Sequence, residues 1–448
     1  MEVILFLMIV LVVILFLNYL NQKDFISPTF LMIISFLMAS TLIVLNQNNW
    51  MIKINVQLFY CVLTAVVSWI FGSALIRLKN RNFQTKSNRK FDNRTKKLQK
   101  YKYPYHILNV LSLFLTLIFI IILLKNVDIS GGLTSILRNI YEQKATSSSG
   151  YFLLHQIEKA LIAIAYISVF QLLNEYYFKK RSLKNYFILL VPILCAVLCM
   201  TVSTDRNVFI RFGVYCLCLW ILFFKNNTSY SRKKTNFKIL KFTILAVIMM
   251  GLLFYGMGKI KQYSSDLERM IGIYGGSGLY NFNLYLENFH GDFTYGKSTF
   301  SAFLNVLASF NIIGKENIVE GPGFITFLSN NGYVYSSNIY SALQPFYRDF
   351  GILGIALFCF LIGMMLEFIY QRTEKNKFGY AWIFYAAFIY PTIYMALAEQ
   401  FFARLHLGII YELFWLWFFY MMIYKRHRIF KTKIYISYPS KKSYQNIN

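Results

Sequence analysis

The stretch Tyr105-His-Ile-Leu-Asn-Val-Leu-Ser-Leu-Phe-Leu-Thr-Leu-Ile-Phe-Ile-Ile-Ile-Leu-Leu-Lys125 is apolar from Ile107 to Leu124, broken there only by Asn109, Ser112 and Thr116. Coiled as a helix, such a run covers the roughly 30 Å hydrocarbon core of a bilayer while satisfying its own backbone N–H and C=O groups, which no water there can do. Runs of the same kind recur along the chain. They are expected at 2–20, 28–45, 55–76, 105–125, 152–175, 186–203, 207–224, 239–257, 351–370, 379–398 and 407–424, about eleven spans of the length a crossing helix needs. Of 448 residues, 57% are hydrophobic, and the mean hydropathy is +0.47. The expected fold class is therefore all-α: a polytopic membrane protein with one large loop. Four regions follow: helices 1–8 in 1–257, the loop in 258–350, helices 9–11 in 351–424 and a basic tail in 425–448.

The formal charge of +27 would suggest nucleic acid in a soluble protein. Here the basic residues collect in alternate connections, at 77–102, 179–184, 225–234, 372–377 and 425–433, which is the pattern that sets orientation in a bilayer. Counting spans places all five on one side. The N-terminus and the loop then lie outside and the C-terminus inside, in the cytoplasm. The first run lacks a basic n-region and a small-residue cleavage site, so it is expected to remain as a span. Aromatics are sparse in the basic connection 77–104, which fits a solvated segment facing anionic lipid and argues against a nucleic-acid partner.

Several function classes receive no support. No Gly-rich loop followed by Lys-Ser/Thr marks an ATP site, and no internal repeat marks an inverted-repeat transporter. All six cysteines fall within expected spans, which supports neither a disulfide framework nor a zinc site. Neither a metal nor another cofactor is expected.

Charge of both signs gathers instead at the outer connections, in three tight groups. Ser203-Thr-Asp-Arg206 joins two spans by a very short turn, Tyr347-Arg-Asp-Phe-Gly351 introduces a span, and Glu399 to His406 joins the last two. An arginine held at this depth suits a diphosphate at the membrane surface, because its planar fork can hold two oxygens and does not lose its proton. The candidate substrate-binding residues are Arg206, Arg348, Arg404 and His406, and Asp205, Asp349, Glu399 and His290 lie in or beside the same outer connections. A surface ion pair or snorkelling anchor is the competing reading of each. Two charges lie deeper, Arg211 and Glu412, and are expected to pair or to be held separately by hydrogen bonds. Within the loop, Phe300, Phe303, Leu304, Leu307 and Phe310 are spaced as one helix face with Ser298 as N-cap, and Leu279, Phe282, Tyr285 and Phe289 form a similar stripe.

The stretch Asn338 to Tyr370, with its core Tyr347-Arg-Asp-Phe-Gly-Ile-Leu-Gly354 and an apolar span containing Gly363, resembles the oligosaccharide repeat-unit polymerases, the Wzy-type enzymes of O-antigen and capsule assembly. The turn Ser203-Thr-Asp-Arg206 is similar to one such polymerases carry, with Thr204 at their Ser/Gly position. Span number and a large outer loop before a late span also match. An Arg-x10-Gly pattern described for some members is absent, since Ser149, Leu217, Cys359 and Trp415 stand eleven residues beyond Arg138, Arg206, Arg348 and Arg404. The resemblance implies glycosyl transfer at the outer leaflet of a bacterial plasma membrane. A glycan on a polyprenyl pyrophosphate, such as undecaprenyl pyrophosphate, passes to a hydroxyl of another lipid-linked unit. It also implies that Arg206, Arg348 and Arg404 stabilise the leaving diphosphate and that Asp205, Asp349, Glu399 or His290 takes the acceptor proton, with a chain-length regulator and a flippase as working partners. A glycan ligase of similar layout and a lipid-linked oligosaccharide flippase remain the alternatives.

Overall fold

A computed structural model describes residues 1–22, 24–50, 52–84, 105–126, 150–178, 183–203, 206–227, 232–260, 267–319, 321, 323, 325–328, 334–375, 377–403, 405 and 407–424. The helices in chain order are α1 (Glu2–Gln22), α2 (Pro28–Leu45), a single turn α3 (Gln47–Trp50), α4 (Val56–Gln84), α5 (Tyr105–Asn126), α6 (Gly150–Phe178), α7 (Leu183–Ser203), α8 (Arg206–Asn227), α9 (Arg232–Ile260), α10 (Leu267–Glu287), α11 (Ser301–Ser309), α12 (Leu343–Lys375), α13 (Tyr380–Phe388), α14 (Tyr390–Ile393) and α15 (Leu407–Tyr424). Among the described residues ten helices are long and apolar enough to cross a bilayer. The protein is an all-α, multi-pass membrane protein.

Two bundles share the interior. One core joins α1, α2, α4, α10 and α12 around Met32, Phe36, Trp69, Phe282, Phe346 and Ile362. The other joins α5 to α8, α13 and α15 around Ile164, Phe170, Tyr215, Phe223, Trp382 and Phe419. The tightest seam in the first is α4 against α12, where a Cβ on Gly72 would lie 2.3 Å from the Phe360 carbonyl oxygen. Outward faces stay apolar, as on α9 with Ile244, Ile248 and Leu252, because their solvent is lipid.

Two expectations need correction. The run 379–398 is not one span: it forms α13 and α14, which part at Ile389 just before Pro391, a residue that has no N–H to give and crowds the preceding turn. Trp382, Ile383, Tyr385 and Pro391 are buried, so this segment is walled by protein and need not match the bilayer thickness. The loop 258–350 holds helices as expected, and its described part is built onto the bundle. Its first part is α10, packed along α2, and it also contains a short hairpin of Ile325–Leu328 against Val334–Ser337. The stripe on α10 falls as its spacing requires, with Leu279 and Phe282 buried and Tyr285 half-buried. Gly278 lets α10 approach the chain after α14, since a Cβ there would meet the Leu397 carbonyl oxygen at 2.4 Å. The second correction is that Ser298 does not cap α11. The helix begins at Ser301 with Phe300 at the cap and no side-chain bond, and Ser298 belongs to the turn before it.

Candidate functional site

The end of the bundle that carries residues 288–342, here the loop face, is organised by polar side chains of α10. Asn283 accepts from the Asn55 amide at 2.8 Å and donates to the Lys53 carbonyl at 2.9 Å. Asn281 donates to the Ile339 carbonyl at 2.8 Å, and the Gly278 carbonyl accepts from the Ser341 amide at 2.8 Å. The next residue, Ala342, donates to the Met395 carbonyl at 2.9 Å. The segment 337–342 is thus pinned between α10 and the chain after α14, and it delivers α12 at a fixed angle.

That helix is sharply broken at its start. Phe350 has φ −144° and Gly351 has φ +62° and ψ −146°, a conformation that favours glycine. The short leg Leu343–Asp349 folds back so closely that a Cβ on Gly354 would lie 2.1 Å from the Phe346 carbonyl oxygen. Both glycines of the Tyr347-to-Gly354 stretch are therefore required by backbone geometry. At the corner stands Asp349, fully buried. Its carboxylate accepts the Ser298 amide at 3.0 Å, the Thr299 amide at 2.7 Å and the Thr294 hydroxyl. The Arg348 carbonyl accepts the Thr294 amide at 3.0 Å. Charge-assisted bonds of this kind are among the stronger ones a protein makes, and here they clamp the loop 294–299 onto the break in α12.

Arg348, half-buried beside this clamp, lies close enough to Tyr285 to favour its phenolate, although burial outweighs it and raises the phenol above its usual value. His290 stands exposed on the same loop, four residues before Thr294. Glu399 reaches the region through its own turn. Its carboxylate accepts the amides of Phe401 at 2.6 Å, Phe402 at 2.8 Å and Ala403 at 2.5 Å. Burial nevertheless pushes it up to about 7, against the opposite pull of those three donors. The Phe402 ring packs 5.2 Å from Phe300, 5.8 Å from Phe346 and 5.2 Å from Phe358, so the Glu399 turn and the Asp349 clamp share one aromatic box.

On the other bundle, Arg206 begins α8, and the next residue, Asn207, accepts from the Tyr394 hydroxyl at 3.5 Å. The segment from Tyr394 to Ala403 therefore connects the start of α8 with the clamp. The Arg206 side chain and residues Asp205, Arg404 and His406 lie outside the described residues. The structure gathers Arg348, Asp349, His290 and Glu399 onto one face.

Below this face Arg211 and Glu412 do pair, at 2.7 Å. Each is five residues into its helix, about 7.5 Å along the axis, and the guanidinium also lies 5.0 Å from the centre of the Tyr390 ring. A small cavity of about 20 Å³, the scale of a single water, is lined by the pair together with Lys159 and Tyr166. Beside it, buried Glu158 accepts from the Ser203 hydroxyl at 2.6 Å and lies 3.6 Å from His155. The sequence reading passed over Glu158 and Lys159, although a Glu-Lys pair inside an apolar run was the available signal.

The fold and these buried charges define a multi-pass membrane protein with a polar face built on one end. No known family profile, no characterised protein and no solved structure matches the chain.

Proposed function

We propose that the protein is a membrane glycosyltransferase that polymerises polyprenyl-pyrophosphate-linked oligosaccharide repeat units on its loop face. The observation that carries this reading is the Arg348–Asp349 corner. A cation stands where a span meets the polar face, on a backbone held by three bonds to the neighbouring carboxylate. Arg77 and Lys225 pair with Glu367 and Glu374 toward the far end of α12, and the sequence puts the basic connections on that side, which supports an outward loop face, an outward N-terminus and a cytoplasmic C-terminus in a bacterial plasma membrane.

The chemistry needs few groups. An acceptor sugar hydroxyl attacks the anomeric carbon of the donor, the bond from that carbon to the diphosphate oxygen breaks, and the diphosphate leaves with the electron pair. Arg348, with Arg206 and Arg404, would hold the charge that develops on it. The hydroxyl proton passes to a base. Asp349 is fully buried and its carboxylate holds the clamp, so it acts here as a positioning residue. Glu399, half-buried and raised to about 7, has the affinity a base needs near neutral pH.

Cells lacking the protein should display single repeat units on the outer surface and no long chains, read as the loss of a polymer ladder above one unit. Lipid-linked units accumulating only on the inner face would instead support a flippase. Transfer of whole preformed chains to a new acceptor would support a ligase.

A further inference from the structure

A large opening lies not on the loop face but inside the membrane-spanning region, between the two bundles. A cleft of about 520 Å³ is bounded by α2, α8, α9, α10 and the chain around α14. Among the described residues no charged side chain lines it. One of its few polar residues, Ser35, is already engaged, donating to the Ile393 carbonyl at 2.8 Å and accepting the Ala396 amide at 3.1 Å. An empty apolar cleft in this position fits a hydrocarbon chain, because burying one there leaves no polar group unpaired.

Its length says which chain. On α8 the lining residues are Ile210, Val214, Leu217, Cys218 and Ile221, one helical face. Arg206 is one turn before Ile210, so α8 begins with a cation position on that same face. From residue 206 to 221 the axial distance is about 22 Å, whereas half of a 30 Å hydrocarbon core is about 15 Å. A phospholipid acyl chain anchored at the loop face ends near the midplane. The cleft continues past it, down to Phe25 and Ile26 at the far end of α2. The access route lies beside α9, whose principal packing partner is α8 and whose Leu240 and Val247 face the cleft while remaining exposed to lipid.

We infer that this cleft seats the isoprenoid chain of a polyprenyl diphosphate, which enters sideways past α9 and leaves its diphosphate where Arg206 begins α8. The inference rests on the function proposed above and names where the substrate's lipid is held.

Gly251 makes a clean test possible. It lines the cleft, and a Cβ there would meet nothing within 4 Å, so Gly251→Phe fills the cleft without clashing with packed atoms. Gly256 lies on the same helix outside the lining, with equally open space, so Gly256→Phe serves as the matched control. Thr243→Trp is a second filling variant. The full chain in nanodiscs is irradiated with a benzophenone-bearing polyprenyl phosphate, and the labelled peptides are mapped. Labelling should fall on α2, α8 and α9, drop at least tenfold in Gly251→Phe and Thr243→Trp, and persist in Gly256→Phe. It should be competed by polyprenyl diphosphate and not by diacyl phospholipid. Labelling that ignores both filling variants, or that phospholipid competes equally, overturns the inference. The binding readout needs no polymer. Labelling as expected with no polymer defect on deletion would leave the cleft standing and remove the polymerase, and the reverse result would do the opposite.

Discussion

Asp349 and the Arg211–Glu412 pair are both charges taken out of water near the loop face, and the molecule accommodates them in opposite ways. Asp349 accepts two backbone amides and a hydroxyl from one short loop, so its charge shapes that loop. Arg211 and Glu412 answer each other across two helices of the second bundle, so their charges hold helices together. Local amide donors can satisfy a carboxylate wherever backbone comes to it. A guanidinium deep in an apolar bundle calls for an acidic partner, or it must reach solvent.

The largest effect should come from breaking the pair. Arg211→Met alone strands Glu412, at a cost of about 3–5 kcal/mol, whereas Arg211→Met with Glu412→Leu should return most of that. Monodisperse yield after detergent extraction, with thermal unfolding, reads this directly. Equal losses in the single and double variants would mean the pair does more than neutralise itself.

Arg348→Ala should lower chain elongation about a hundredfold, roughly 3 kcal/mol of transition-state stabilisation, while leaving thermal stability nearly unchanged. Arg348→Lys should recover only part, because it keeps the charge and loses the fork. Full-length polymer from the alanine variant at matched protein levels would place the leaving group elsewhere.

Asp349→Ala should cost about 2 kcal/mol, since it orphans the half-buried Ser298 amide and the buried Thr299 amide. The effect should be local. Hydrogen exchange at Ser298 and Thr299 should accelerate while amides around Arg211 stay protected, and a uniform rise across both regions would erase the distinction drawn above.

The smallest effect concerns pH. If Glu399 is the base, it works ionised, and with its carboxyl raised to about 7 the ionised fraction falls as pH drops below that value. Elongation should decline about fivefold between pH 7 and 6, and Glu399→Gln should remove that dependence along with most of the rate. A flat profile in the parent protein would return the role to another group.

What could be read before folding were the quantities a bilayer prices residue by residue. Long apolar runs must be helices because nothing else satisfies their backbone in lipid, and Arg211 and Glu412 drew attention because an ion at that depth is costly. The group Tyr347 to Gly354 was legible as special but not as a corner. Its glycines matter because of where Phe346 and the loop end up, and Asp349 is bound by backbone amides, which carry no signature in the sequence. The broken helix at Ile389 escaped because a segment enclosed by neighbouring helices no longer has to match the bilayer, and only packing decides which segments are enclosed. The apolar cleft was equally invisible. Every lining residue looks like ordinary membrane-facing or core sequence, and the space between them exists only because two bundles meet without filling it.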